Sequence, residues 1–146
     1  MADFDYLAID TRGPDWVAQV LEATAGKGVD LLIDLLAGPL MNGNLAATRV
    51  GGRIVNVGRM AGERGEFDFD LHSMRRISFV GVTFRTRSAA QVEAINEKVT
   101  RALLPALSQG ALRLPIDKVC PLEDAAEAFD HMARNRHFGK IVLANA

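Results

Sequence analysis

Only one cysteine, Cys120, occurs in this 146-residue chain. That excludes an internal disulfide and any CxxC metal site. Lying in the extended run IDKVCPL with no accompanying His or Asn signature, the thiol reads as a small buried filler. An excess of charge of one sign is lacking as well: 17 Lys and Arg stand against 18 Asp and Glu, a net charge of -1, and the charges are interspersed. Such a chain offers no basic face to nucleic acid or to an anionic membrane, so the expected partner is a small ligand or a soluble protein. No apolar run is long enough to span a bilayer, and MADFDYLAID has no basic segment followed by an apolar core, so the expected address is the cytoplasm. Missing too are GxGxxG and GK[ST], the spacings that cradle phosphates. The three histidines make a poor metal site, because His72 stands alone and His131 and His137, six apart, have no third ligand near them.

What is present is apolar material: 49% of the residues are hydrophobic, enough for one domain with its own core. The chain is organised around residues 26–58, GKGVDLLIDLLAGPLMNGNLAATRVGGRIVNVG. Two short runs, residues 29–36 and 53–57, are rich in Val, Ile and Leu with little alternation, the pattern of strands covered on both faces, as in a parallel sheet. Gly38-Pro39 suits a helix start between them, and Gly51-Gly52 is expected to close that helix before the second strand. The unit is therefore a strand-helix-strand crossover. Asp34 sits near the carboxyl end of its strand at a core position, where backbone donors are expected to cap its charge.

Around this unit the sequence predicts further elements. Residues 5–10 read as a short strand, and a helix over 15–24 carries Trp16, Val17, Val20 and Leu21 on one face, with Trp16 as a packing residue. The loop over 58–66, GRMAGERGE, follows the carboxyl end of a strand, where open α/β sheets bind ligands. Residues 67–71 alternate strictly, Phe67, Phe69 and Leu71 against Asp68 and Asp70, and are expected to form an edge strand through which two copies of the chain dimerise. Residues 77–84 read as a buried strand, followed by Arg85 and Arg87, which suit either an anionic ligand or a solvated loop. Ser88 with Gln91 suggests a capping box opening a long helix with Val92, Ile95, Val99, Ala102, Leu103 and Ala106 on one stripe, and Pro105 is expected to kink or break its last turn. A strand over 114–120, a helix with inner face Leu122, Ala126, Phe129, Met132 and Ala133, and a strand over 139–144 close the chain.

Taken in order, GKGVDLLIDLLAG, VGGRIVNVG, ISFVGVTFRTR and LPIDKVCPLEDAAEAFDHMARNRHFGKIVLAN resemble the C-terminal part of the medium-chain dehydrogenase/reductase superfamily. The likeness is closest to its zinc-free quinone oxidoreductase branch, with zinc-dependent alcohol dehydrogenases more distant. PLEDAAEAFDHM followed by GKIVL is the most specific portion. The resemblance implies an α/β partial Rossmann fold: a mainly parallel sheet flanked by helices, starting at the third strand and lacking the first two strands and the GxGxxG turn. Residues 1–113 would be the C-terminal portion of the coenzyme domain, and residues 114–146 a strand-helix-strand segment that in the family returns to the catalytic domain. It implies NADP or NAD as cofactor, no zinc, and nicotinamide-side contacts at three strand ends: Leu36, Ala37 and Gly38; Val57, Gly58 and Arg59; Val82, Thr83 and Phe84. In that pattern Leu36 and Phe84 pack the ring, Val57 and Val82 offer carbonyls and Phe84 an N–H, because a carboxamide needs one donor and two acceptors at fixed spacing.

Two functions follow as expectations. One is a fragment of an NAD(P)H-dependent oxidoreductase acting on a quinone, enone or carbonyl, inactive by itself and binding NADPH only weakly. The other is a non-catalytic dimeric binding module. Without the first two Rossmann strands, the strand over 29–36 is expected to have an open edge, to be covered by residues 5–10, by a second copy, or by the strand over 139–144.

Overall fold

The computed structural model describes residues 7–145, which fall into two compact units, residues 7–88 and 89–145. In the first, helix α1 (Trp16–Ala23) leads into strand β1 (Val29–Asp34); a 3-10 turn (Gly38–Leu40) with Pro39 in its first turn starts helix α2 (Met41–Ala47), and strand β2 (Thr48–Asn56) follows. Helix α3 (Phe69–Arg75) and strand β3 (Ser78–Gly81) complete the unit. The sheet order is β1-β2-β3, all parallel, with Leu32, Ile54 and Phe79 in one row and Asp34, Asn56 and Gly81 in the next row on the same face. That face is covered: Met41, Leu45, Ile54 and Ile77 form the core, with Leu32, Phe67 and Leu71 packed against it. Trp16 packs against Gly43 of α2, where a Cβ would collide with the indole ring, so the expected packing role of Trp16 is the observed one. The opposite face is open, and Leu31 and Ile33 are each 54% exposed.

Several expectations change. Gly51-Gly52 does not end a helix. The strand already begins at Thr48, and the register jumps from Val29↔Thr48 to Leu31↔Arg53, so residues 49–52 bulge out opposite Asp30 alone. Residues 67–71 are not an edge strand: α3 begins at Phe69, and the Asp68 side chain accepts the Leu71 N–H at 2.8 Å as its N-cap. The dimerising edge read there is therefore not a strand edge. β3 spans only Ser78–Gly81 and is exposed, because it is the last strand of its sheet and the open face leaves Val80 uncovered. Of the strand expected over 5–10, Asp5 and Tyr6 lie outside the described residues, and residues 7–10 have no regular structure. Among the described residues β1 pairs only with β2, and the closing strand pairs elsewhere.

The second unit contains helix α4 (Ala89–Ser108), strand β4 (Ile116–Pro121), a 3-10 turn (Leu122–Asp124), helix α5 (Ala125–Ala133) and strand β5 (Lys140–Ala144). α4 continues through Pro105 rather than breaking there. β4 and β5 form a two-stranded parallel sheet on which Cys120 and Ala128 are buried. The inward face of α5 is only partly the expected one. Ala125, Ala128 and His131 are the less exposed positions, His131 binding Asp117 of β4 through Nε2 at 2.7 Å, while Phe129 and Met132 line an open hollow with Ile141 and Leu143 of β5. His131 is half-buried, with the ring of His137 6.2 Å away. No helix among the described residues is long and apolar enough to cross a membrane.

Truncating Leu45, which is fully buried in the first unit, to alanine is expected to destabilise it by about 2–5 kcal/mol in urea unfolding, whereas Phe69→Ala on the exposed face stays within about 0.5 kcal/mol. In the second unit, the hydrogen bonds from His131 and then from the Phe138 N–H hold the Asp117 carboxyl below its usual 3.8. A carboxyl lowered on folding stabilises fully above its unfolded value and loses that contribution as pH falls. Unfolding of the wild type is therefore expected to steepen below about pH 4, and that acid limb to flatten in Asp117→Asn.

Candidate functional site at the strand tips

The carboxyl ends of β1, β2 and β3 lie side by side, and one buried carboxylate ties them together. Asp34, 3% exposed, closes β1. Its Oδ1 accepts the N–H groups of Leu36 and Ala37, each at 2.9 Å, and its Oδ2 faces the Asn56 amide nitrogen at 3.4 Å. The expected capping by backbone donors is thus observed. Asn56, the register partner of Asp34 on β2, also donates from Nδ2 to the Gly58 carbonyl at 2.9 Å. The main-chain oxygen of Asp34 accepts from Val57 at 2.7 Å and Gly58 at 3.1 Å, while the Asn56 carbonyl accepts from Val82 at 3.0 Å. Burial is tolerated because nearly every polar atom has a partner.

These bonds force a sharp turn. Ala37 has φ 56° and ψ −147°, a conformation that glycine adopts readily and alanine only under strain. It is held there by the Asp34 carboxylate and by an isolated parallel bridge to Gly62 in the glycine-rich loop. That loop is laced to the same turn, since Met60 and Ala61 donate to the carbonyls of Leu35 and Leu36 at 3.2 and 2.9 Å. Gly58 is required for the close approach, because a Cβ there would run into the Leu35 carbonyl.

The structure brings together most of the residues expected at the site. Ala37, Gly38 and Arg59 share a cavity of about 230 Å³ with Asn56, Arg64 and Phe79. Leu36, Val57 and Gly58 belong to the Asp34 network, and Val82 joins it through Asn56. Thr83 and Phe84 lie beyond β3 and do not line that cavity; Phe84 is 56% exposed, with the Arg87 guanidinium 6.0 Å from its ring centre. Arg87 also donates from Nε to the Thr83 carbonyl at 3.0 Å, which fixes one of the two arginines against the β3 tip. The carbonyls of Val57 and Val82 and the N–H of Phe84 have no hydrogen-bond partner among the described residues. Asn56 was not singled out from sequence, although a lone amide inside the apolar run RIVNVG, one position before its carboxyl end, is the signal that marks it.

Among the described residues no group of three or more His, Cys, Asp or Glu is placed to hold a metal ion.

Asp34→Ala leaves the Leu36 and Ala37 amides without their acceptor, and Asp34→Asn can accept only one set of the bonds. We expect the alanine variant to lose about 1–3 kcal/mol in chemical denaturation and the asparagine variant less, with amide exchange at Leu36 and Ala37 accelerated in both.

Three comparisons bear on this arrangement. The family model described as zinc-binding dehydrogenase matches residues 4–143. Among curated proteins, a mycocerosic acid synthase-like polyketide synthase of Mycolicibacterium smegmatis is 30% identical over 138 residues, and one of Mycobacterium tuberculosis is 27% identical over 137; each match covers 92% of this chain and 6% of the relative. Among solved structures, an NAD-dependent alcohol dehydrogenase aligns with a TM-score of 0.71 and 32% identity, over 92% of this chain and 36% of that one. The CurK enoyl reductase aligns at 0.66 and 25% identity, over 94% of this chain and 40% of that one. The parallel α/β sheet is thus of the Rossmann-like kind found in these dehydrogenases, and the chain spans well under half the length of either structure. With residues 4–143 matched by its model, this chain belongs to the zinc-binding dehydrogenase family.

Proposed function

We propose that this chain supplies the nicotinamide-side half of the cofactor site of an NAD(P)H-dependent oxidoreductase, whose hydride goes to, or comes from, an enone or a carbonyl carbon. The observation that carries the reading is the set of three unpartnered backbone groups at the strand tips: two carbonyls, Val57 and Val82, and one N–H, Phe84. That is the complement of a carboxamide, which has two N–H donors and one acceptor. The cofactor, when bound, supplies the hydride; the chain's own part is to hold the ring by its amide so that one face is presented. Leu36 and Phe84 are the apolar neighbours for the ring, and the Asp34 network keeps the first two tips from drifting apart.

Membership in a dehydrogenase family supports hydride transfer, and the relatives titled enoyl reductase and alcohol dehydrogenase favour an enone or a carbonyl over a quinone. NADP and NAD both remain compatible with the reading, since the residues that contact the adenosine ribose in the family are not among these. The chain has no GxGxxG turn, so the pyrophosphate, a major source of dinucleotide affinity, finds no glycine turn and helix N-terminus of the usual kind.

A titration separates this reading from others. Reduced nicotinamide mononucleotide and NADPH are expected to bind the chain about equally, near millimolar, because both present the same half to it. The amide signals of Gly58, Val82 and Phe84 should shift together. A micromolar constant for NADPH with none for the mononucleotide would place the grip on the adenosine half and overturn the assignment.

A further inference from the structure

At the opposite end of the same sheet lies a second pocket, which the nicotinamide reading does not use. It occupies about 640 Å³ where the turn before β1, the start of β2 and the last turn of α3 meet, within the size range of small-molecule sites. Lys27, Arg49 and Arg75 stand around it, Val50, Leu71 and Met74 supply its apolar wall, and no acidic residue lines it. Its construction is local and specific. The bulge of residues 49–52 exists only because β2 carries extra residues opposite Asp30, and it turns Arg49 and Val50 toward α3.

The three cations are held differently. Arg75 is half-buried and donates from Nη1 to the carbonyl of the buried Thr48 at 2.8 Å, which anchors the guanidinium while its other N–H groups have no protein acceptor among the described residues. Arg49 is paired with the exposed Asp30, so one of the three positive charges is matched. Lys27 has no ion pair among the described residues. Two uncompensated positive charges therefore converge on a concave surface with an apolar wall, where field lines are concentrated. Solvent alone would satisfy the cations. It would leave Val50 and Met74, 47% and 70% exposed, facing water in the same concavity.

From this juxtaposition we infer that the pocket binds a phosphate monoester carrying an apolar chain. The phosphate sits among Lys27, Arg49 and Arg75, with the preanchored fork of Arg75 matching two of its oxygens, and the chain lies along Val50, Leu71 and Met74. A dianion answers two free cations better than a carboxylate does, and an inorganic anion would leave the apolar wall unused. No covalent step is involved. The site is independent of the strand tips, since it is built from the amino-terminal ends of β1 and β2.

Amide NMR of the full chain titrated with hexyl phosphate, inorganic phosphate and hexanoate tests the assignment. Hexyl phosphate is expected to give saturable shifts at Lys27, Val50 and Met74 with a constant near or below about 1 mM, and inorganic phosphate to bind about tenfold more weakly for want of the apolar contact. Lys27→Gln and Arg49→Gln, both at exposed positions, should each weaken hexyl phosphate about three- to tenfold. Met74→Ser should weaken hexyl phosphate and leave inorganic phosphate unchanged. Unsaturated shifts, shifts confined to the strand tips, unaltered affinity in both cation variants, or hexanoate binding as tightly as hexyl phosphate would overturn the proposal.

Discussion

A carboxylate with nowhere to go but the backbone governs this fold. Asp34 is buried at the end of the first strand of a parallel sheet, and its charge is answered by two amides of its own following turn and by the amide of Asn56. Those partners are not interchangeable with water, so the turn after β1, the end of β2 and the glycine-rich loop must close around it together. The positions of the strand tips follow from that single requirement. Because parallel strands all point their carboxyl ends the same way, satisfying one tip aligns its neighbours, and Val57 and Val82 are held by bonds to the carbonyls of Asp34 and Asn56 rather than left as frayed ends.

The two ends of the sheet are built on different principles. At the carboxyl end, main-chain groups whose positions depend on register are left without protein partners, and the side chains of Asp34 and Asn56 buttress the turn beside them. At the amino end, a local irregularity in β2 turns charged and apolar side chains into a concavity. The first kind tolerates substitution of exposed side chains and not of register. The second has the reverse sensitivity, since loss of a single cation changes its field.

Much of this organisation was legible in the sequence. Continuous apolar runs announced the parallel strands, and GP announced the start of the crossover helix. Asp34 was readable as a capped core charge because a carboxylate inside VDLLID has few other fates. The errors are equally instructive. In FDFDL, strict alternation satisfied the strand template, yet the same letters place Asp68 as an N-cap and Asp70 in a first helical turn; a capping hydrogen bond over three residues outweighed a two-residue period. On α5 the apolar stripe is only partly the buried face, since Phe129 and Met132 border an open hollow over β5 while His131 is paired with Asp117 of β4, and a periodicity argument carries no term for a partner on another strand. The bulge of residues 49–52 was hidden because two glycines before a strand signal a stop as readily as a loop within it.

The backbone at Ala37 has a stereochemical consequence. Reversing the signs of its φ 56° and ψ −147° gives −56° and 147°, inside the polyproline-like basin of an ordinary L-residue. The turn is thus shaped for the opposite hand: a D-alanine introduced there by chemical ligation would sit at ease where the natural enantiomer is held by force. The chain's chirality and its strand-tip geometry are in opposition at one residue, and hydrogen bonding decides between them.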